Sequence, residues 1–297
     1  MKIKKFDNIT DNVALFHNKT FPLYIIRGDK NFLIDAGVTT LATTFAQDIE
    51  TILEGEKLNT LLLTHSHWDH TGAASILQEQ FKFDVKGSQR AVELLQKPKV
   101  IKFINRLNQD YKEQLSDDSD SAFTMLQDLS PAKEGDRIEV SDGRFIEVFE
   151  TPGHTQCSAS YLLHPENILF PGDAAGVVET DGSVKPLFLS SYKNYEESLI
   201  KLINIEADVL AFPHNRYLRG KDTVADYLAR SLERTRQTKD EILNMLAKTD
   251  DYDVIAEELM KKEFPKPTLL GPREALMINF KAMANAVNRE FSGENQG

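Results

Sequence analysis

The chain has 297 residues, 41% of them hydrophobic and 27% charged, the composition of an ordinary globular protein rather than a disordered or fibrous one. A formal net charge of -11 with no long Lys/Arg block argues against a nucleic-acid partner, and no apolar run reaches membrane-spanning length. The single cysteine, Cys157, excludes an internal disulfide and a thiolate metal cage; it reads as a small buried residue, so any metal must be held by nitrogen and oxygen.

The start MKIKKFDNITDN is basic but has no apolar segment behind it, so the protein is expected to be untargeted and cytoplasmic. Val13 to Phe16, Leu23 to Arg27 and Asn31 to Asp35 are β-rich runs divided by turn residues, and predict a β-meander. Residues 41–54 place apolar groups at helical spacing, followed by a buried strand at Thr60 to Leu63, a helix from Ala73 to Gln80 and a short strand at Phe83 to Val85. From about 90 to 130 helix formers dominate. Pro98 should end or kink the first helix, and SDDSDS at 116–121 reads as an exposed loop or the start of a further short helix.

Strand character resumes at Arg137 to Val140, Arg144 to Glu150, Ser158 to Leu163, Asn167 to Phe170 and Val209 to Phe212, with a helix near Glu196 to Ile205. After 219 nothing looks like a strand. Thr223 to Lys248, Val254 to Glu263 and Arg273 to Arg289 predict helices, and the absence of a Gly/Ser-rich linker predicts that they pack on the core.

Four strand candidates end in side chains that can bind metal. Leu61 to Leu63 runs into His65, His67, Asp69 and His70; Phe145 to Thr151 into His154; Ile168 to Phe170 into Asp173; and Val209 to Phe212 into His214. Groups beyond one edge of a sheet can converge on one volume. Imidazole and carboxylate together suit Zn, Fe or Mn, and seven such ligands are too many for one four-coordinate ion and about right for two. For His17 and His164 an ordinary surface or core role is the better reading.

This pattern resembles the metallo-β-lactamase fold superfamily of hydrolases over roughly residues 10 to 218. The resemblance implies an αββα sandwich in a core of residues 1–218, with a helical insertion at about 90–130 and a C-terminal helical extension over 219–297. It implies that His65, His67 and His154 bind one metal, that Asp69, His70 and His214 bind the other, and that Asp173 bridges them. Asp35, in NFLIDAG, matches a family aspartate that supports the site; a turn-capping carboxylate is an equal alternative. Cys157 and Asn215 stand where many relatives have glycine, and asparagine is the next-best residue for a positive φ.

The bridging aspartate argues against an antibiotic-cleaving lactamase, His67 against the flavodiiron type, and the lack of a large inserted domain against the nucleases. Thioesterases, glyoxalase-II-like enzymes and lactonases remain. With KPLFLSSYKNYEESLIKL before the last histidine and several helices after it, the layout is similar to the thioesterase subgroup of alkylquinolone signal biosynthesis. In that layout the C-terminal helices cover the metal cleft, and Leu187, Phe188 and Leu189 become candidate walls, with ordinary packing as the alternative.

The resemblance thus implies a dinuclear hydrolase in which a metal-bridging hydroxide attacks a thioester or similar acyl carbonyl, with Asp69 and Asp173 as the catalytic carboxylates. Two divalent ions are expected, zinc first, with iron or manganese accepted by the same ligands. The expected partner is a small acyl substrate, and a homodimer is compatible but not required by any sequence feature. One rival is a lactonase, which would benefit from a nearby proton donor; Tyr192, Tyr195 and Tyr217 are the phenols nearest in sequence, with ordinary packing as the commoner role. Others are a single-iron persulfide dioxygenase, against which the full ligand set argues, and a metal-containing regulatory module that binds a partner protein.

Overall fold

The computed structural model describes residues 6–291 except 17, 19, 118–120, 180–181, 216 and 265–270. The first sheet takes its strands in chain order: β1 (Phe6–Thr10), β2 (Val13–Phe16), β3 (Tyr24–Ile26), β4 (Asn31–Ile34), β5 (Leu58–Leu62), β6 (Asp84–Gly87) and β7 (Leu129–Pro131). β1 to β4 pair antiparallel through short turns, as the meander predicts. From β4 onward the pairing is parallel, and each crossover is helical because a parallel return needs a long connection. Those crossovers are α1 (Ala42–Leu53), then α2 (Trp68–Thr71) with α3 (Ala74–Phe81), then α4 (Gln89–Leu95) with α5 (Pro98–Leu115).

The second sheet contains β8 (Arg137–Ser141), β9 (Arg144–Glu150), β10 (Ala159–His164), β11 (Ile168–Phe170), β14 (Val209–Ala211) and β15 (Tyr217–Arg219), in the order β15-β14-β11-β10-β9-β8. A separate two-residue pair, β12 (Val177–Val178) and β13 (Val184–Lys185), lies beside it. β10 is antiparallel to both β9 and β11, and β14 is parallel to β11. Therefore β9, β11 and β14 leave the sheet in the same sense. α6 (Tyr192–Ile203) links β13 to β14, and α7 (Lys221–Leu246), α8 (Tyr252–Glu263) and α9 (Arg273–Phe291) close the chain.

Between the sheets lies an apolar layer in which Tyr24, Phe32 and Ile34 face Tyr161, Phe170 and Val148. A second core packs α1, α3 and α5 on the outer face of the first sheet, and a third packs α6 to α9 on the outer face of the second. The order of layers is αββα, as the resemblance implies. Two buried phenols fasten the sheets together: Tyr161 Oη donates to Leu63 O and Tyr24 Oη to Phe212 O, each at 2.7 Å. Both carbonyls lie where chain leaves a strand towards a histidine.

Three strands of the two large sheets are absent from the sequence reading, and all are edges. β1 and β15 are half-polar, and β7 (Leu-Ser-Pro) ends in the residue an edge strand tolerates and a central one does not. The 90–130 region accordingly ends in a strand of the main sheet. The first helix of this region does stop ahead of Pro98: α4 ends at Leu95, and Pro98 opens α5 in its first turn, where its missing N–H costs nothing. The SDDSDS loop falls partly outside the described residues, at 118–120.

Candidate metal centre

Five segments end at the same rim. β4 delivers Asp35, β5 delivers Thr64 to His70, β9 delivers His154, β11 delivers Asp173 and β14 delivers His214. Two turns need glycine. Gly153 has φ +132°, and a Cβ there would lie 2.3 Å from the Tyr195 backbone; Gly172 has φ +54°, and a Cβ there would lie 2.8 Å from Thr64. Each lies one residue before a site side chain, so a close backbone approach aims the ligand.

All seven predicted residues are brought together. His154 Nε2 lies 3.2 Å from His65 Nε2 and 3.0 Å from His67 Nδ1. His70 Nε2 lies 3.8 Å from Asp69 Oδ2, and His214 Nε2 lies 3.6 Å from it. Asp173 stands between the two groups: Oδ2 is 3.3 Å from His154 Nε2, while Oδ1 is 3.7 Å from His70 Nε2 and 3.6 Å from His214 Nε2. His65, His70, His154, His214 and Asp173 are buried, and His67 and Asp69 half-buried.

The outer ring nitrogens are occupied, which sets the direction of the inner ones. His154 Nδ1 donates to Leu187 O at 2.7 Å, and His214 Nδ1 to Thr20 O at 3.1 Å. His70 Nδ1 donates to Asp35 Oδ2 at 2.8 Å. Thr64 Oγ1 donates to Asp35 Oδ2 at 2.8 Å and lies 3.1 Å from His65 Nδ1, whose N–H it can then accept. Asp35 also accepts from Thr64 N at 2.8 Å. Asp35 therefore orients a histidine and holds the strand exit at Thr64, 29 residues away, rather than capping its own turn. Each of these four rings turns its other nitrogen inward, the usual arrangement of imidazole metal ligands.

The electrostatics are those of a cation site without its cation. Burial, reinforced by neighbouring imidazoles, holds His65 and His67 well below the usual histidine pKa, and burial lowers His154 as well. Burial alone would also lower His70, but the carboxylates of Asp35, Asp69 and Asp173 outweigh it and raise the pKa to about 10. Burial would raise Asp173, yet the surrounding imidazoles hold it down at about 2. His70 Nε2 and Asp173 Oδ1 are both buried without a hydrogen-bond partner among the described residues. An unpaired buried polar atom is costly, and a shared divalent cation would satisfy both.

The centre opens into a cleft of about 220 Å³. Phe103 and Leu107 of α5 form one wall, Leu187 and Leu189 another, and Leu276 and Ile278 of α9 a third. Apart from the ligands and the Trp68 indole, Lys185 and Asn279 are the polar side chains among the described residues of the lining. Lys185 Nζ pairs with buried Glu263 at 3.0 Å. Neither Lys185 nor Asn279 carries a sequence signal: Lys185 sits on the short strand β13, and Asn279 reaches the cleft only because α9 folds back over it. Phe188 does not line the cleft. It is fully buried against Tyr192 and Tyr195, because neighbours in an extended segment point to opposite sides.

None of the three phenols singled out lines the cleft either. Tyr195 Oη donates to Asp173 O at 3.2 Å, Tyr192 Oη donates to Glu196, and Tyr217 packs beside the inter-sheet core. Burial and the Asp69 charge raise Tyr111 of α5 to about 12, and burial with the Asp173 charge raises Tyr195 as well. His164 stacks on Phe145 and pairs with Glu147 at 2.9 Å, well away from the centre; His17 is outside the described residues. Cys157 is buried, with Sγ 3.3 Å from Ser66 Oγ. Asn215 has φ +68°, and its Nδ2 donates to Val178 O at 2.6 Å. No described helix is long and apolar enough to cross a membrane.

A family model described as the metallo-beta-lactamase superfamily matches residues 22–214. The metallo-beta-lactamase fold-containing protein ST1585 of Sulfurisphaera tokodaii is 28% identical over 265 residues, 85% of this chain and 90% of its own. The hydroxyacylglutathione hydrolase GloC of Haemophilus influenzae is 30% identical over 127 residues, 42% of this chain and 54% of its own. Among solved structures, the metallo-beta-lactamase family protein TTHA1429 of Thermus thermophilus superposes with a TM-score of 0.67 at 21% identity, over 96% of this chain and 95% of its own, a likeness of fold alone.

Proposed function

Since the chain belongs to the metallo-β-lactamase superfamily, we propose that its metal-dependent hydrolysis is directed at a thioester or similarly activated acyl substrate and uses two divalent cations. One observation carries the pair of cations: Asp173 faces both ligand groups, and its Oδ1 and His70 Nε2 are buried without a partner among the described residues. His65, His67 and His154 would hold one ion, Asp69, His70 and His214 the other, and Asp173 would touch both. The nitrogen and oxygen donors suit zinc and also accept iron or manganese. Bound there, such ions supply Lewis acidity and an acidified water for attack on a carbonyl.

The chain's own residues do the rest. Asp69 Oδ2 lies between His70 and His214 at the cleft floor, where it can accept a proton from the attacking water. The apolar walls hold the acyl group and exclude bulk water. No tyrosine lines the described cleft, so a phenol is not at hand to protonate a leaving alkoxide. A thiol ionises near pH 8.5 and leaves as thiolate without one, which favours a thioester over a lactone. The similarity of layout to the alkylquinolone thioesterase subgroup supports the same ranking, as does a relative whose name states hydrolysis of an acylated glutathione.

The test compares matched acyl thioesters and lactones with protein of known metal content, using His67→Ala as the control. Expected are two metal ions per chain and thioester turnover that falls more than about a hundredfold in the variant, beyond the loss typical of an outer partner. Protein that binds two ions yet leaves thioesters intact would sink the substrate assignment.

A further inference from the structure

α5 has two adjoining faces. Phe103 and Leu107, four residues apart, look into the metal cleft. Lys99, Lys102, Arg106 and Gln109 follow one another at helical spacing and, with Lys112, line a second groove of about 580 Å³. Phe103 belongs to both walls and is 40% exposed, so the two spaces adjoin at its ring.

The charge of this groove is unusual for the chain. Lys99 with Lys102, and Lys102 with Arg106, are like-charged pairs one helical turn apart, an arrangement that weakens a helix. Among the described residues no carboxylate lines the groove, on a protein of net charge -11. Two of the four cations are engaged: Arg106 pairs with Glu274 of α9 at 3.1 Å while lying over the Phe103 ring, and Lys112 Nζ donates to Ser121 O at 3.1 Å. Lys99 and Lys102 are exposed, and the side chain of neither makes a hydrogen bond or ion pair with a described residue. From Lys99 to Lys112 the stripe runs about 20 Å along the helix.

Resting on the acyl-hydrolase reading, we infer that this groove binds the thiol-side half of the substrate, and that this half is a phosphorylated, nucleotide-type carrier. The acyl group occupies the apolar cleft, the thioester sulfur lies over the metal ligands, and the carrier passes Phe103 to bring its phosphates to Lys99 and Lys102. Water adds to the carbonyl carbon, the C–S bond breaks, and the electron pair leaves on sulfur; of the water's two protons one ends on the thiolate and the other passes by way of Asp69 to solvent, so the products are a carboxylate and the free thiol of the carrier. The basic stripe is one helix long and surrounded by an acidic protein, which suits a small polyanion rather than a long phosphate backbone.

The experiment compares butyryl-coenzyme A with butyryl-pantetheine, the same thioester without phosphates, on metal-loaded protein. Two exposed charge contacts predict a kcat/KM ratio of about ten in favour of the phosphorylated substrate, shrinking at high salt as the phosphate contacts are screened. In Lys99→Glu/Lys102→Glu the ratio falls towards one. A wild-type ratio of one, or a ratio unmoved in the variant, overturns the inference and leaves the hydrolase reading standing. If neither thioester is cleaved, the thioester assignment has failed, and calorimetric titration with 3′-phosphoadenosine 5′-diphosphate still reads the groove. Binding that the double variant loses supports the groove, and no binding to the wild type overturns it.

Discussion

Asp35→Asn replaces one atom and should loosen one metal position without touching a ligand. The wild-type carboxylate accepts three hydrogen bonds of 2.8 Å, from Thr64 N to Oδ1 and from Thr64 Oγ1 and His70 Nδ1 to Oδ2. An asparagine has one acceptor oxygen. If that oxygen stays with Thr64 N, the amide NH2 faces His70 Nδ1, the ring must take the other tautomer, and Nε2 then carries a proton where it should offer a lone pair. If the amide flips, two N–H groups face each other at Thr64, leaving a buried donor unpaired at about 1–3 kcal/mol. The first outcome costs a metal at Asp69, His70 and His214 roughly ten- to a hundredfold in affinity, or about 1.4–2.8 kcal/mol, whereas the flip keeps the His70 tautomer and shows as lost stability instead. Competition of the metal-free protein with a chromophoric chelator measures it. One ion should weaken while the ion at His65, His67 and His154 keeps its affinity. A binding isotherm identical to that of the wild type would show that Asp35 does not set the His70 tautomer.

Gly153→Ala should destabilise the fold by about 3 kcal/mol, because the new Cβ meets the Tyr195 backbone and not a movable side-chain tip. A urea midpoint unchanged from the wild type would contradict it. The metal-free protein should be most stable near pH 6.5. His65, His67 and His154 have depressed folded pKa values, so the unfolded chain takes up more protons below about 6.5 and their stability is lost as the pH falls. His70 is raised to about 10, so its contribution is complete below 6.5 and is lost as the pH rises from there towards 10. Thermal unfolding of chelator-treated protein from pH 5 to 9 checks both limbs, and a melting temperature that rises on acidification from 6.5 to 5 would refute the assignment.

What could be read from the sequence was local. A buried strand is a short apolar run, and a ligand placed just beyond it stands out by its polarity, so His65 to His70, His154, Asp173 and His214 could be named in order. Spacing within HSHWDH and the positive φ expected at Asn215 are likewise properties of a few neighbouring residues. Even the opposed directions of Leu187 and Phe188 were implicit in the two-residue period of an extended chain.

Contacts between distant segments decided the rest. Edge strands β1, β7 and β15 form because a partner strand offers free backbone groups, not because their own side chains demand it. Which ring nitrogen faces inward depends on carbonyls such as Thr20 O and Leu187 O, far along the chain from the histidines they hold. Asn279 enters the cleft only once α9 has folded back over it, and Phe103 joins the metal cleft to a basic groove only because α5 lies across the rim. Ligand identity follows from the chemistry of single side chains and their nearest neighbours along the chain. The shape and charge of the space they face depend on how segments more than a hundred residues apart are packed.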